Sequence, residues 1–395
     1  MEKEAEVRMA GVLWIIAGLV AVQLLFALWN LSSLPYLGGT GEGRKHLSDS
    51  QRRGPGEAAP LLSVLIPARD EADNIGDCLK SVLAERSPFV ESIVLDDGSR
   101  DGTAAVARRA SLDDGRASVI AGKPKPDGWT GKAFACHQLA QVARGEWWLF
   151  LDADARLEKD ALAAAMDTAL IQRRGLITGF PRQVTRSWME RLVVPLMNFT
   201  VACHLPIKLV RGSDDPRFAA AHGAFMLVHA DSYREAGGHA ANPDHLVDDM
   251  QLARAFKRAK LPVSLLDISA YVYMRMYADG ASVWSGYRKN IYAGTGRNGW
   301  LLSMMMLLYG MLYLIPPSAL LGAVLAHRAD WISGAAAGTL LGMALKFVVD
   351  RRGRQPIAHA LILPLGIAAL IGIAFASWRD AARGRGYSWK GRRYE

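Results

Sequence analysis

The sequence predicts an α/β domain built on a mostly parallel sheet, with α-helical membrane segments at both ends. Two observations carry this. Strand-like and helix-like stretches alternate from Leu61 to about residue 154, and long charge-free apolar runs lie near both termini. Alternation of that kind implies a parallel sheet with helices on its faces. An apolar run of about 20 residues is long enough to cross a hydrocarbon core.

The elements follow in order along the 395 residues. After an N-terminal tail (1–8), residues 9–29 contain no Asp, Glu, Lys or Arg and read as an uncleaved anchor. The run exceeds the core of a signal peptide, and no clean small-residue cleavage site follows it. Residues 30–60 read as a linker, rich in Gly, Ser, Pro and charge from residue 40 onward. Next come LLSVLI (61–66) as a strand, NIGDCLKSVLAE (74–85) as a helix and SIVLDD (92–97) as a strand. DGTAAVARRA (101–110), ASVIAG (117–122), GKAFACHQLAQVA (131–143) and EWWLFLDAD (146–154) continue as helix, strand, helix and strand. Globular patterning runs to about residue 300. The apolar segments 301–326, 331–349 and 357–378 then precede a basic tail, 379–395.

Charge placement speaks to partners. The formal net charge is +9, and much of the excess sits beside membrane segments, which argues for a membrane and no nucleic acid. Arg44, Lys45, Arg52 and Arg53 follow the first span, whereas Glu2, Glu4 and Glu6 offset Lys3 and Arg8 before it. The positive-inside rule therefore puts the soluble domain in the cytoplasm of a multi-pass cell-membrane protein. Three spans after that domain would carry the tail outside. The tail's Arg379, Arg383, Arg385, Lys390, Arg392 and Arg393 argue for inside, so one later segment is expected to be re-entrant or interfacial. Cys78, Cys136 and Cys203 are scattered and lack metal-ligand spacing, as suits reduced thiols.

In parallel sheets ligands gather at the carboxyl ends of strands, and acids collect there. IPARDEADN (66–74) places Asp70 and Glu71 after Pro67, either to cap a helix or to accept hydrogen bonds from a nucleoside. LDDGSRDGT (95–103) ends a strand with Asp96 and Asp97. The second acid can meet a pyrimidine N–H, while Asp101 or Ser99 can cap the next helix. FLDADARL (150–157) sets Asp152 and Asp154 one residue apart, able to converge on a hard cation such as Mn²⁺ or Mg²⁺ that shares its shell with phosphate. Lys132 opens a helix after GWTG, where helix amides and a cation suit phosphate. Asp248 and Asp249 open the helix of HLVDDMQLARAFKR (245–258), as first-turn acids or as a general base. No strand-linked G-x-G-x-x-G string appears, which disfavours a nicotinamide oxidoreductase.

In this order, with GAFMLV and EAGGH between residues 223 and 239, the motifs resemble family 2 glycosyltransferases of the Rossmann-like GT-A fold. Within that family GWTGKAFACHQLA (128–140), WMERLVVPLMNF (188–199), HLVDDMQLAR (245–254) and RMYADGASVWSGYRKNIYAG (275–294) resemble a particular membrane-associated branch. Its members are carotenoid-acid (diaponeurosporenoate) glucosyltransferases and hopanoid-associated glycosyltransferases. The resemblance implies inverting transfer from a nucleotide-sugar, preferably a UDP-sugar, to a lipid acceptor. It implies that Pro67, Asp70, Glu71, Asp97, Lys132 and Asp152 bind the donor, and that Asp152 and Asp154 hold Mn²⁺ or Mg²⁺. Asp249 would be the catalytic base, with Asp248 standing where the family motif has Glu. Asp248, Trp129, Gly223, Trp284 and Arg288 are candidates for supporting or acceptor-facing places. No Q-x-x-R-W string occurs, which disfavours a polysaccharide synthase. Polyprenyl phosphate and glycerolipid remain alternative acceptors. A non-catalytic scaffold would be expected to have lost acids that are all present here.

Residues 192–207 are apolar and broken by Pro195 and Pro206, so 188–211 is expected at the membrane interface or in a core, with His204 packed or capping. Residues 282–298 mix aromatics with basic residues, as a membrane-surface belt does.

Overall fold

The computed structural model describes residues 2–38, 61–85, 89–112, 114–245, 247–383, 387–389 and 392–394. They form two compact units. One comprises Leu34–Val184 and Pro206–Met276; the other comprises Met1–Ser33, Thr185–Leu205 and Tyr277–Glu395.

The first unit is built on a seven-stranded sheet. In chain order its strands are β1 (Leu62–Ala68), β2 (Val90–Asp96), β3 (Ala117–Ala121), β4 (Trp147–Leu151), β6 (Leu176–Phe180), β8 (Phe225–His229) and β9 (Val263–Asp267). Across the sheet the order is β3-β2-β1-β4-β8-β6-β9. Only β8 runs against its neighbours, pairing antiparallel with β4 and β6. The sheet is thus mostly parallel with helices, as the sequence predicts, with β8 as its one antiparallel member. The central strands are apolar on both faces, as strands covered on both sides must be: every residue of β4 (WWLFL) is buried. The helix Ile75–Leu83 buries Ile75, Cys78, Leu79 and Val82, the single stripe that a 3.6-residue period provides.

A second sheet of three short strands, β5 (Ala155–Leu157), β10 (Val272–Met274) and β7 (Arg182–Gln183), begins directly after Asp154. It anchors the far side of the acid-bearing turn. Of the expected linker, Pro35–Leu37 lies along β9, with the Leu37 amide donating to the Asp267 carbonyl at 3.1 Å and the Asp267 amide to Pro35 at 2.8 Å. Residues 39–60 lie outside the described residues.

Among the described residues of the second unit four helical stretches are long and apolar enough to cross a membrane: Val7–Ser32, Gly299–Leu325, Ala329–Arg352 and Ile357–Ala382. Gly334, Gly338 and Gly342 form a small-residue stripe that permits close helix approach. A Cβ built at Gly334 would lie 3.1 Å from Leu13 Cβ, and one at Gly338 3.1 Å from Pro316. Helix Leu196–His204 buries Phe199, Ala202 and Cys203 against this bundle, and His204 Nε2 meets the Tyr309 hydroxyl at 2.9 Å. Asn30 caps the end of that helix, donating to the carbonyls of Ala202 (3.0 Å) and Leu205 (2.6 Å).

Candidate functional site

The carboxyl ends of β1, β2 and β4 open into loops that carry the acids, and long-range hydrogen bonds lace two of these loops together. The Asp70 amide donates to Ser99 Oγ at 2.9 Å, and Asp70 Oδ1 accepts from the Arg100 amide at 2.8 Å. The Glu71 amide donates to Thr103 Oγ1 at 2.8 Å. Asp70 has φ of 50°, a left-handed conformation that these two loop-to-loop bonds hold in place. Asp101, just before the helix Thr103–Ser111, accepts from the Thr103 amide at 3.0 Å while its second oxygen accepts from the Ala72 amide at 2.9 Å. Asp97 is buried, 4.0 Å from the Arg69 guanidinium, and Arg69 also donates to the Asp97 carbonyl. Asp70, Glu71 and Asp97 thus share one rigid rim.

A second cluster forms around Gly223. Lys132, on the first turn of helix Gly131–Val142, places Nζ 2.5 Å from Asp152 Oδ1. Thr130 caps that helix, accepting from the Ala133 amide at 3.3 Å. Asp249, from the first turn of helix Asp248–Arg258, accepts from the Gly223 amide at 2.9 Å and from the Met250 amide at 2.7 Å. A Cβ built at Gly223 would lie 2.8 Å from Lys132 Nζ, 3.6 Å from Asp249 Oδ2 and 3.7 Å from Asp152 Oδ2. Three charged groups from separate elements therefore converge on a backbone that only glycine leaves open. Asp248, Pro67 and Asp152 line the same pocket. So do Cys136, His239, Phe150 and Met226, which the motif reading did not single out. Cys136 lies one helical turn after Lys132, a spacing that was available as a signal. His239 closes the GGH motif. Its Nδ1 meets the Tyr233 hydroxyl at 2.8 Å, and Gly238 (φ 54°) leaves room for Tyr233, whose ring a Cβ there would approach to 2.3 Å.

Burial and neighbouring charge set the protonation states. Burial, reinforced by Asp248, pushes the Asp249 carboxyl up to about 6. Burial also raises Asp248 against the pull of Lys132. Burial alone would lower the Lys132 ammonium, but Asp152 and Asp248 hold it well above its ordinary value. His222 and His239 are pushed down to about 4 and about 3 by burial, so both are neutral at pH 7. Burial keeps the Cys136 thiol protonated.

Asp154 is half-buried, and both it and Asp152 act electrostatically on Cys78. Among the described residues no group of three His, Cys, Asp or Glu is placed to hold a metal ion. Two oxygen-donor carboxylates suit a hard cation that completes its shell with phosphate oxygens and water, and fit a fully protein-enclosed ion poorly. Trp129 stands at the turn before Lys132, its ring packed on Phe134 (5.3 Å) and His137 (5.0 Å). Trp284 and Arg288 belong to the other unit, on helix Gly280–Gly294, where Arg288 Nε lies 3.3 Å from Asp380.

Comparison with known proteins bears on the family and the fold. Residues 63–236 match the family model described as Glycosyl transferase family 2. The chain is similar to 4,4'-diaponeurosporenoate glycosyltransferase of Staphylococcus aureus (strain MRSA252), 29% identical over 343 residues, covering 84% of this chain and 88% of the relative. The protein of that name from strain USA300 matches over the same length at 29% identity, with the same 84% and 88% coverage. Among solved structures the chain is similar to a mannosyltransferase from Pyrobaculum calidifontis in complex with GDP-Man and Mn²⁺. That likeness has a TM-score of 0.51 and 18% identity, covers 94% of this chain and 99% of that one, and is one of fold.

Proposed function

We propose that this chain, which matches the family 2 glycosyltransferase model over residues 63–236 and has the GT-A fold, transfers a sugar from a UDP-sugar to an isoprenoid lipid acceptor at the membrane. The observation that carries the reading is the convergence of Lys132, Asp152 and Asp249 on Gly223 at the sheet's carboxyl edge. A cation and two carboxylates around open backbone suit a diphosphate leaving group on one side and an acceptor nucleophile on the other. The similarity to an enzyme named for a carotenoid acid supports an isoprenoid acceptor. The apolar helices support a multi-pass membrane protein with its catalytic unit in the cytoplasm.

The reaction is a single displacement at the anomeric carbon, with inversion. Asp70, Glu71 and Asp97 hold the nucleoside on the laced rim, beside Pro67. Lys132 neutralises charge as it grows on the departing diphosphate, and Asp152 fixes the Lys132 ammonium. Asp152 and Asp154 would hold a divalent cation, Mn²⁺ or Mg²⁺, which supplies Lewis-acid stabilisation of the diphosphate when bound. Asp249, with a carboxyl at about 6, is ionised at neutral pH yet basic enough to take a proton from an acceptor hydroxyl. Where the acceptor is a carboxylic acid, already ionised, no proton has to move and Asp249 is not needed as a base. Asp248 supports the raised basicity, and Trp129 faces the acceptor. Trp284 and Arg288 serve the lipid-facing part of the chain.

Two expected results follow from the site. For a hydroxyl acceptor, activity falls about tenfold per pH unit as pH drops below about 6, where Asp249 takes up its proton. A flat profile between pH 5 and 7 would remove Asp249 from the role of base. Gly223→Ala is expected to keep the fold, since the nearest atom is the far end of the long Lys132 side chain and not backbone, but it displaces that ammonium from Asp152. The UDP-sugar KM should then rise by about tenfold or more, while thermal unfolding stays put. The function itself is tested by supplying labelled UDP-sugars and isoprenoid acceptors to membranes containing the protein and separating the lipids. A labelled glycolipid is expected; label found only in polysaccharide or in polyprenyl phosphate would contradict the acceptor assignment.

A further inference from the structure

The last apolar stretch, Ile357–Ala382, is long enough to cross a bilayer, but packing within its own unit gives it a different path. The first helix, Glu2–Ser32, serves as a ruler. A Cβ at Gly334 would touch Leu13 and Trp14, and one at Gly338 would lie 3.8 Å from Ala17 Cα, so Ala329–Arg352 runs parallel to the first helix. Both helices end against the same short helix, Leu196–His204. Asn30 bonds the end of helix Leu196–His204, and Asn198 of that helix lies 3.2 Å from a Cβ built at Gly353.

Tyr313 marks a point deep in the bundle. Its hydroxyl donates to Gln23 Oε1 at 2.5 Å, and its ring lies 3.3 Å from a Cβ at Gly342. Leu363 is found at the same level, 3.7 Å from that Cβ. Helix Leu363–Ala382 therefore starts near mid-membrane, not at a face. It then runs back the way the chain came. Ile371 lies 3.9 Å from a Cβ at Gly310, and Trp378 Nε1 lies 3.3 Å from one at Gly299. The Tyr292 amide donates to Ser377 Oγ at 3.2 Å, and Arg288 pairs with Asp380 at 3.3 Å. Gly299 and helix Gly280–Gly294 precede the second span, so they lie on the side where the chain leaves the first. The climb from Gly353 to Leu363 is short and partly 3₁₀ (Ile357–Ile362), with Gln355, His359 and Ala360 turned into protein. Irregular backbone at membrane depth requires such cover.

We propose that residues 353–382 form a re-entrant hairpin seated in the leaflet at which the first helix ends, near Ser32. Among the described residues only Val7–Ser32, Gly299–Leu325 and Ala329–Arg352 then cross, and Arg383 lies on the side where the first helix ends. The hairpin's exposed face, with Leu361 and Leu365 deep and Phe375 and Trp378 nearer the surface, takes the acyl chains of that leaflet. Charge agrees. Arg351, Arg352 and Arg354 stand at the entry, and Arg379 and Arg383 at the exit, all on the side that attracts positive residues.

The inference rests on the membrane reading above, and the test separates the two. In full-length protein with Cys78, Cys136 and Cys203 replaced, a single cysteine is introduced as Ala329→Cys or Arg383→Cys. Each variant is probed with a membrane-impermeant maleimide in sealed spheroplasts of an expression host. Ala329→Cys should label at once, and Arg383→Cys only after permeabilisation. Labelling of both Ala329→Cys and Arg383→Cys in sealed cells, with the protein retained in carbonate-washed membranes, would overturn the hairpin alone. Release of the protein by carbonate would overturn the membrane reading itself. A C-terminal epitope tag on the otherwise unaltered chain provides a second readout. It should resist external protease, and its loss from sealed cells would overturn the hairpin as well.

Discussion

Replacing Asp152 with asparagine is expected to lower sugar transfer by about 10²–10³-fold while leaving the fold and membrane insertion intact. The size of the effect follows from two simultaneous losses. Asp152 Oδ1 is the carboxylate oxygen 2.5 Å from Lys132 Nζ, so the substitution frees an ammonium that would otherwise be aimed at the diphosphate. It also removes one of the two acids proposed to share a divalent cation. The fold should survive because β4 is fixed by five buried side chains and the turn by the Ala155 amide donating to the Asp152 carbonyl at 3.0 Å, a bond asparagine keeps. Initial rates with labelled UDP-sugar, alongside thermal unfolding of the same sample, check both halves. Unimpaired transfer would remove Asp152 from the donor site.

Asp249→Asn should produce the second large loss, about 10²–10⁴-fold with a hydroxyl acceptor. Asparagine can still accept from the Gly223 or Met250 amide through its one oxygen, so the cradle's shape is largely retained while its basicity disappears. The same change relieves a cost. Asp249 is a half-buried carboxylate beside Asp248, and replacing it by a neutral amide removes one of two adjacent acids from a partly desolvated site. Thermal stability is therefore expected to hold or rise as activity collapses. With a carboxylic-acid acceptor the loss should be small, because no proton needs to move. Comparing the two acceptor classes on one variant thus reads out the acceptor's chemistry. A small loss with a hydroxyl acceptor would assign the base elsewhere.

Much of this site was legible because its parts are local. A strand that ends in an acid, a Gly-rich turn before Lys132 and a helix opening on Asp248 and Asp249 are short-range patterns, and each is found at the end of its element. The parts that were not legible depend on distant pairing. Nothing local in FMLVH reveals that β8 inserts antiparallel between β4 and β6, yet that insertion brings Gly223 to Lys132 and Asp152. Cys136 and His239 line the pocket because helix packing turns them there, and their types alone carry no such signal. The fourth apolar stretch shows the same limit. Hydropathy measures its length and apolarity, whereas its direction emerges only from Leu363 meeting Gly342 and Trp378 meeting Gly299.

The central claim is that the acids after β4, together with Lys132, hold the diphosphate of the donor. Calorimetric titration of UDP into purified full-length protein, with and without Mn²⁺, tests it most directly. Binding is predicted to depend on the cation, and to be lost in Asp152→Asn and Asp154→Asn. Equal, cation-independent affinity in all three proteins would contradict it.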